Sequence, residues 1–350
     1  MIAETEPLVT EGSVTFRLPD ADSALNATRL LPALSLPGTD LDFEFADGLW
    51  QLELPRPGVH RMEYRLRLHH RDGSDEEICD PGNTLRAPGA FGDKSVIEFP
   101  GYVPPAWLGA DQVPGETADL AVPAPLLARD IAVRVWSPAP VDEPLPLLVA
   151  HDGPEYDRLA GLTAYAAAMI AAGDLPPFRV ALLAPGERDD EYAANPRYAA
   201  TLHQRVLPLL RTTLAVTEPV VGMGASLGGL AMLHAQRALP GLFGGLFLQS
   251  ASFLTVDLDP QEQHRFGRFG QVSVYVADVL RTVPHETVPV VMTCGTAEEN
   301  LANNRQMAVT LTKQGYDARL VEVPDAHNYV AWRDAFDPAL TALLRAVWSG

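Results

Sequence analysis

Cysteine is nearly absent: Cys79 and Cys294 are the two among 350 residues. So few, so far apart, exclude a disulfide framework or a cysteine metal site, and both are expected as buried free thiols. Basic residues are also scarce. Lys and Arg number 26 against 45 Asp and Glu, and the resulting net charge of −19 argues against a nucleic-acid partner whose phosphates need neutralising. No run approaches the roughly 18 apolar residues that cross a bilayer. The segment Met1-Ile2-Ala3-Glu4-Thr5-Glu6-Pro7 carries acid where a secretion signal carries base, and the chain reads as cytoplasmic. His, Cys, Asp and Glu nowhere fall at convincing metal-ligand spacing, so neither metal nor organic cofactor is expected. There is no internal repeat.

What is present divides into two textures. The first hundred residues alternate polar and apolar, as in Leu49-Trp50-Gln51-Leu52-Glu53-Leu54 and Met62-Glu63-Tyr64-Arg65-Leu66, the pattern of half-buried antiparallel strands. Asp47-Gly48, Pro57-Gly58, Asp72-Gly73 and Pro81-Gly82 supply turns at the spacing of a sandwich. An immunoglobulin-like β-sandwich is therefore predicted for residues 1–103, a proline-rich linker for 104–128, and a second, larger domain for 129–350. In that last part continuous apolar strands alternate with helical segments, which predicts a mostly parallel, doubly wound α/β sheet. A closing helix is predicted over 329–348. In the sandwich, Trp50, Tyr64, Phe91 and Tyr102 either line a ligand groove or fill the core.

Chemistry is most legible at Gly224-Ala225-Ser226-Leu227-Gly228-Gly229. An apolar run enters this stretch and a helical one leaves it, the context of a nucleophile elbow in which a serine is held on a sharp strand-to-helix turn. The Leu227 amide, at the helix start, then faces a developing oxyanion. Downstream, Glu298 follows the apolar run 288–293 and His327 follows the strand-like run 318–323. Serine, acid and histidine thus occur in the chain order of α/β-hydrolases, each at the exit of a strand. The run ending at Ala150 delivers Asp152 and Gly153 to the same edge, where either amide is a candidate second oxyanion donor. Arg188 is placed either to fork onto an anionic substrate group or to pair with Glu191. His203 and His234 fall within helices and are read as helix-face residues.

The stretch 222–230, Gln249-Ser250-Ala251-Ser252-Phe253, Cys294-Gly295-Thr296-Ala297-Glu298 and Asp325-Ala326-His327-Asn328-Tyr329 together resemble the enterochelin esterase group of the esterase D family. His151-Asp152-Gly153-Pro154-Glu155-Tyr156 and Glu187-Arg188-Asp189-Asp190-Glu191-Tyr192 resemble further blocks of that family. The resemblance implies Ser226 as nucleophile, His327 as general base and Glu298 as the orienting acid, with Glu299 and Asp325 as rival acids. It also implies substrate-binding roles for Arg188, Tyr156, Glu191 and Tyr192, and an N-terminal domain that shapes the pocket. The expected reaction is hydrolysis of a carboxylic ester or lactone through an acyl-enzyme, with a siderophore lactone of the enterochelin type as the implied substrate. A carboxylesterase acting on feruloyl or acetyl esters is the alternative within the fold. A glycan-binding protein with an inactive hydrolase domain is the alternative outside it.

Overall fold

The computed structural model describes residues 5–90, 92–140 and 143–348; Phe91 lies outside them. The chain forms two compact units. One holds the residues up to Val103 together with Gly295–Glu299 and Pro324–Ala331, and the other holds Pro104–Cys294, Asn300–Val323 and the residues from Trp332 onward.

The first unit is a two-sheet sandwich of strands β1 (Leu8–Val9), β2 (Ser13–Pro19), β3 (Leu25–Pro32), β4 (Glu44–Ala46), β5 (Leu49–Pro55), β6 (Arg61–His70), β7 (Asp75–Ile78), β8 (Arg86–Ala87) and β9 (Lys94–Glu98). One sheet runs β1-β2-β5-β4 and the other β3-β6-β9-β8, with β7 on β6. Alternation is the reason: in β5, Trp50, Leu52 and Leu54 are buried while Gln51, Glu53 and Pro55 are exposed, so one face enters the core. Asp47 and Gly48 both take positive φ, 53° and 76°, as a two-residue hairpin turn between β4 and β5 requires. Tyr64 and Trp50 belong to the core. Tyr64 donates to Asp80 at 2.6 Å and Trp50 Nε1 to Asp20 at 3.1 Å, so each buried polar tip is satisfied and neither ring lines a groove.

In the second unit the strands are β10 (Gly115–Ala124), β11 (Arg129–Pro138), β12 (Leu147–Ala150), β13 (Arg179–Leu183), β14 (Val221–Ala225), β15 (Gly245–Gln249), β16 (Val290–Gly295) and β17 (Ala318–Val323). They form one sheet in the order β10-β11-β13-β12-β14-β15-β16-β17. The pairs β12–β13, β12–β14, β14–β15 and β15–β16 are parallel, while β10–β11 and β11–β13 are antiparallel. Every residue of β12, β13, β14 and β15 is buried, as expected of parallel strands covered on both faces. The helices are α1 (Gly153–Ala160), α2 (Leu162–Ala171), α3 (Arg188–Tyr192), α4 (Pro196–Thr201), α5 (Leu207–Leu214), α6 (Leu227–Ala238), α7 (Phe269–Val279), α8 (Leu301–Lys313), α9 (Tyr329–Asp334) and α10 (Thr341–Trp348). After β12 and β13 the chain returns to start β14 on the other side of β12. The ends of β12 and β14 therefore flank the point where winding reverses, the place where open α/β sheets bind ligands.

Two expectations need correction. The stretch 104–128 is not an extended linker: β10 pairs with β11 at every position from Gly115↔Pro138 to Ala124↔Arg129. Pro123 is tolerated because β10 is the sheet's edge strand, where a missing N–H is not missed. Trp107, in the same stretch, is buried and packs on Tyr165 and Phe336. The closing helix is two helices, since Pro338 forces Asp337 to extended angles, φ −109° and ψ 125°.

Candidate active site

Ser226 stands between β14 and α6 with φ 56° and ψ −126°. For a residue with a side chain this is a costly conformation, of the kind that persists where surrounding structure imposes it. The imposition comes from three glycines. A Cβ on Gly224 would lie 2.5 Å from the carbonyl carbon of Gly228, one on Gly229 would lie 2.9 Å from Ala251 Cβ, and one on Gly228 would meet His151 Cβ at 3.2 Å. Only glycine lets strand, elbow and helix pack this closely. The serine amide donates to Gln249 O at 2.9 Å, and its carbonyl accepts from Gly229 and Leu230. The amide of Leu227 is a first-turn donor that helix α6 cannot satisfy internally, so it is available to an anion.

Across the winding reversal, β12 leads into Asp152, whose φ of 50° turns the chain into α1. A Cβ on Gly153 would sit 2.3 Å from Leu182 Cα, which accounts for the glycine. The Asp152 amide points to the Tyr192 hydroxyl at 3.4 Å, while Gly153, the first residue of α1, has an amide that the helix cannot satisfy internally. His151 is fully buried and stacks on Tyr192 with ring centroids 4.6 Å apart. Its Nδ1 lies 3.0 Å from Gly228 O; a carbonyl only accepts, so Nδ1 carries the proton. Burial pushes the imidazole down to about 4, keeping it neutral. It is a strut under the elbow rather than a base.

In the first unit, His327 Nδ1 donates to Glu298 Oε2 at 2.8 Å. The other carboxylate oxygen of Glu298 accepts from the Gly295 amide at 2.7 Å. The acid's side chain is 1 % exposed and the imidazole 42 %, so a buried carboxylate fixes the tautomer of a ring that reaches solvent, with Nε2 left as the acceptor. Of the rival acids, Glu299 is exposed. Asp325 directs Oδ1 to the Ala326 amide at 2.7 Å and accepts there from Asn328 Nδ2 at 2.9 Å.

The expected substrate contacts fall differently. Arg188 forks onto Asp152, with both bonds at 2.8 Å, rather than onto Glu191. Glu191 is buried and forks onto Arg129 at 2.7 and 2.5 Å. Tyr156 and Tyr192 are fully buried; Tyr156 donates to Gln249 Oε1 at 2.9 Å. Tyr156, Tyr192 and Glu191 therefore brace the loops around the elbow, since a buried polar group already paired has little to gain by turning to a ligand, while the Arg188 side chain, paired to Asp152, keeps 34 % of its surface exposed. Sequence reasoning assigned no role to Ser252, whose Oγ lies 3.1 Å from Ser226 Oγ and whose amide donates to Ser226 O at 3.0 Å. Asn300, Asn303 and Asn304 likewise carry no role assigned from the sequence, although Asn304-Arg305 belongs to the stretches that resemble the esterase group; they donate to the carbonyls of Ser250, Phe253 and Ala251 and so hold the segment that carries Ser252. Serines and asparagines beside a strand end carry no distinguishing spacing.

Among the described residues no group of three or more His, Cys, Asp or Glu is arranged to hold a metal ion, and no helix is long and apolar enough to cross a membrane. By sequence alone no curated protein matches the chain. By structure it is similar to an enterobactin esterase from Shigella flexneri determined in the presence of enterobactin, at 19 % identity and TM-score 0.76 over 99 % of this chain and 97 % of that one. It is likewise similar to a ferric enterobactin esterase from Salmonella typhimurium, at 17 % identity and TM-score 0.76 over 99 % and 98 %. A ferulic acid esterase matches at 14 % identity and TM-score 0.52, covering 66 % of this chain and 98 % of its own. Each shares the α/β-hydrolase fold, and a family model described as "Putative esterase" matches residues 125–343, the greater part of the chain, which belongs to that family of carboxylic ester hydrolases.

Proposed function

We propose that this esterase works through Ser226 as nucleophile, His327 as general base and Glu298 as the acid that orients it. The observation that carries the reading is the strained serine at the elbow, in a chain whose exposed histidine is held at Nδ1 by a buried carboxylate. His327 Nε2 takes the proton as Ser226 Oγ attacks the ester carbonyl, and the imidazolium that forms is stabilised by Glu298. The negative oxygen of the tetrahedral intermediate is received by the amides of Leu227 and Gly153. The intermediate collapses as His327 returns its proton to the leaving alkoxide. Water, deprotonated by the same ring, then releases the acid from the acyl-enzyme.

For the substrate we infer a catecholate siderophore ester or lactone, hydrolysed in the cytoplasm. Similarity to the enterobactin esterases extends over 99 % of this chain, sandwich included, whereas the ferulic acid esterase covers 66 %. Product analysis by mass spectrometry over a catecholate trilactone, its linear esters, a feruloyl ester and an acetyl ester tests this. Preferential opening of the trilactone is expected; brisk hydrolysis of feruloyl or acetyl esters alone transfers the assignment to a general carboxylesterase.

A further inference from the structure

The first unit binds the acid and histidine loops to each other and to the sandwich, and one residue takes part in both contacts. The Asp325 carbonyl accepts from the Ala297 amide at 3.1 Å, joining the two loops one residue before Glu298 and two before His327. A Cβ on Gly295 would lie 2.4 Å from that carbonyl oxygen, so only glycine permits the approach. The Asp325 side chain, on its other side, sends Oδ2 toward Arg61 Nη1 at 4.0 Å. Arg61 opens β6, and the preceding amide, that of His60, donates to Pro324 O at 2.7 Å.

Arg61 is itself unusual. It is 4 % exposed, and neither Nε nor Nη1 has a hydrogen-bond partner. Glu63, Glu98 and Asp325 stand around it at 3.9, 3.9 and 4.0 Å, and its guanidinium lies over the Tyr102 ring. Of the carboxylates, Glu63 is also paired, to Lys94 at 3.1 Å. A buried cation with several carboxylates just beyond hydrogen-bond reach acts by charge rather than by directed bonds. Without it, Asp325 and Glu63 would repel each other in a poorly solvated place, and the segment free to yield is the loop that carries Asp325.

We propose that Arg61, a residue of the sandwich, is a positioning residue for the base: through Asp325 it holds the seam between the two loops and so keeps His327 Nδ1 on Glu298. The inference rests on His327 being that base. It gives the N-terminal domain a part in the chemistry itself.

The test uses the full chain and the variants Arg61→Met, Asp325→Asn and their combination, with two readouts. One is kcat and KM on a small aryl ester. The other is the downfield proton resonance of the Nδ1–H between His327 and Glu298, assigned by its loss in Glu298→Gln, which a merely structural role would leave in place. Each single change is expected to lower kcat about 10- to 100-fold with KM within about twofold, the scale of an ångström-sized misplacement, and to shift or broaden the resonance. The double variant should be no worse than the more impaired single, because both act on one seam. Losses that multiply, or an Asp325→Asn protein with unchanged kcat and an unmoved resonance, overturn the proposal. If Arg61→Met does not fold, Asp325→Asn decides, since it removes a buried charge and leaves no hole. Should Ser226→Ala retain activity, the catalytic reading falls, and the resonance alone decides whether Arg61 and Asp325 hold the pair.

Discussion

Replacing Asp325 by Asn should make the protein more stable at neutral pH while making it a poorer catalyst. Burial is the largest influence on this carboxyl and raises it from 3.8 to about 6, against the lowering effects of the Ala326 amide, the Asn328 side chain and Arg61. A carboxyl raised in the folded state favours folding while it stays protonated; that contribution is complete below about pH 4 and is lost as pH rises through about 6. The displacement is about two pH units, which corresponds to about 3 kcal/mol at about 1.4 kcal/mol per unit. Asn keeps an acceptor for Ala326 and is neutral throughout, so Asp325→Asn should exceed the parent by about 1 to 3 kcal/mol at pH 8 and match it near pH 4. Urea unfolding of both proteins at pH 4, 6 and 8 measures the difference. Taking a difference matters because His151 and His234, both pushed down to about 4 by burial, act in the opposite sense: the stability they allow is lost as pH falls from about 6.5 to about 4. They cancel between the two proteins. A variant no more stable than the parent at pH 8, or an advantage that does not change with pH, refutes the reasoning.

Gly224→Ala should cost several kcal/mol or abolish folding, because the new methyl would meet Gly228 backbone at 2.5 Å, and backbone at an elbow has nowhere to move; near-parental stability and activity would show that the elbow tolerates expansion. Ser252→Ala should lower the rate at which an aryl phosphonate labels Ser226, by about 3- to 30-fold, through loss of one neutral hydrogen bond and its positioning. An unchanged labelling rate would leave Ser252 a packing residue.

The α/β core was readable because its strands are uniformly apolar and its elbow combines a serine with glycines at fixed spacing. Glu298 and His327 could be picked out as candidates by their places after β16 and β17. Their hydrogen bond could not, because it depends on two loops whose contacts lie with a domain some two hundred residues earlier in sequence. The prolines of 104–128 misled for a definite reason: they suppress strand formation except at an edge, and which strand is the edge is a property of the sheet. Tyr156, Tyr192 and Glu191 sit in blocks that resemble a substrate site, yet they are buried with their polar atoms paired within the fold, a burial that block resemblance alone does not reveal. Arg61 offered no signal at all. In an alternating strand an arginine reads as solvent-facing, and only the folded chain shows that it is enclosed by carboxylates.

The central claim is that Ser226, His327 and Glu298 act as one catalytic unit, and kcat for an aryl ester across Ser226→Ala, His327→Ala, their double variant and Glu298→Ala tests it most directly. Each of the first two should lose on the order of a millionfold, the double variant little more, and Glu298→Ala about ten-thousandfold, since a base without its orienting carboxylate retains some function. Losses that multiply in the double variant, or an Asp325→Ala protein more impaired than Glu298→Ala, would contradict the account.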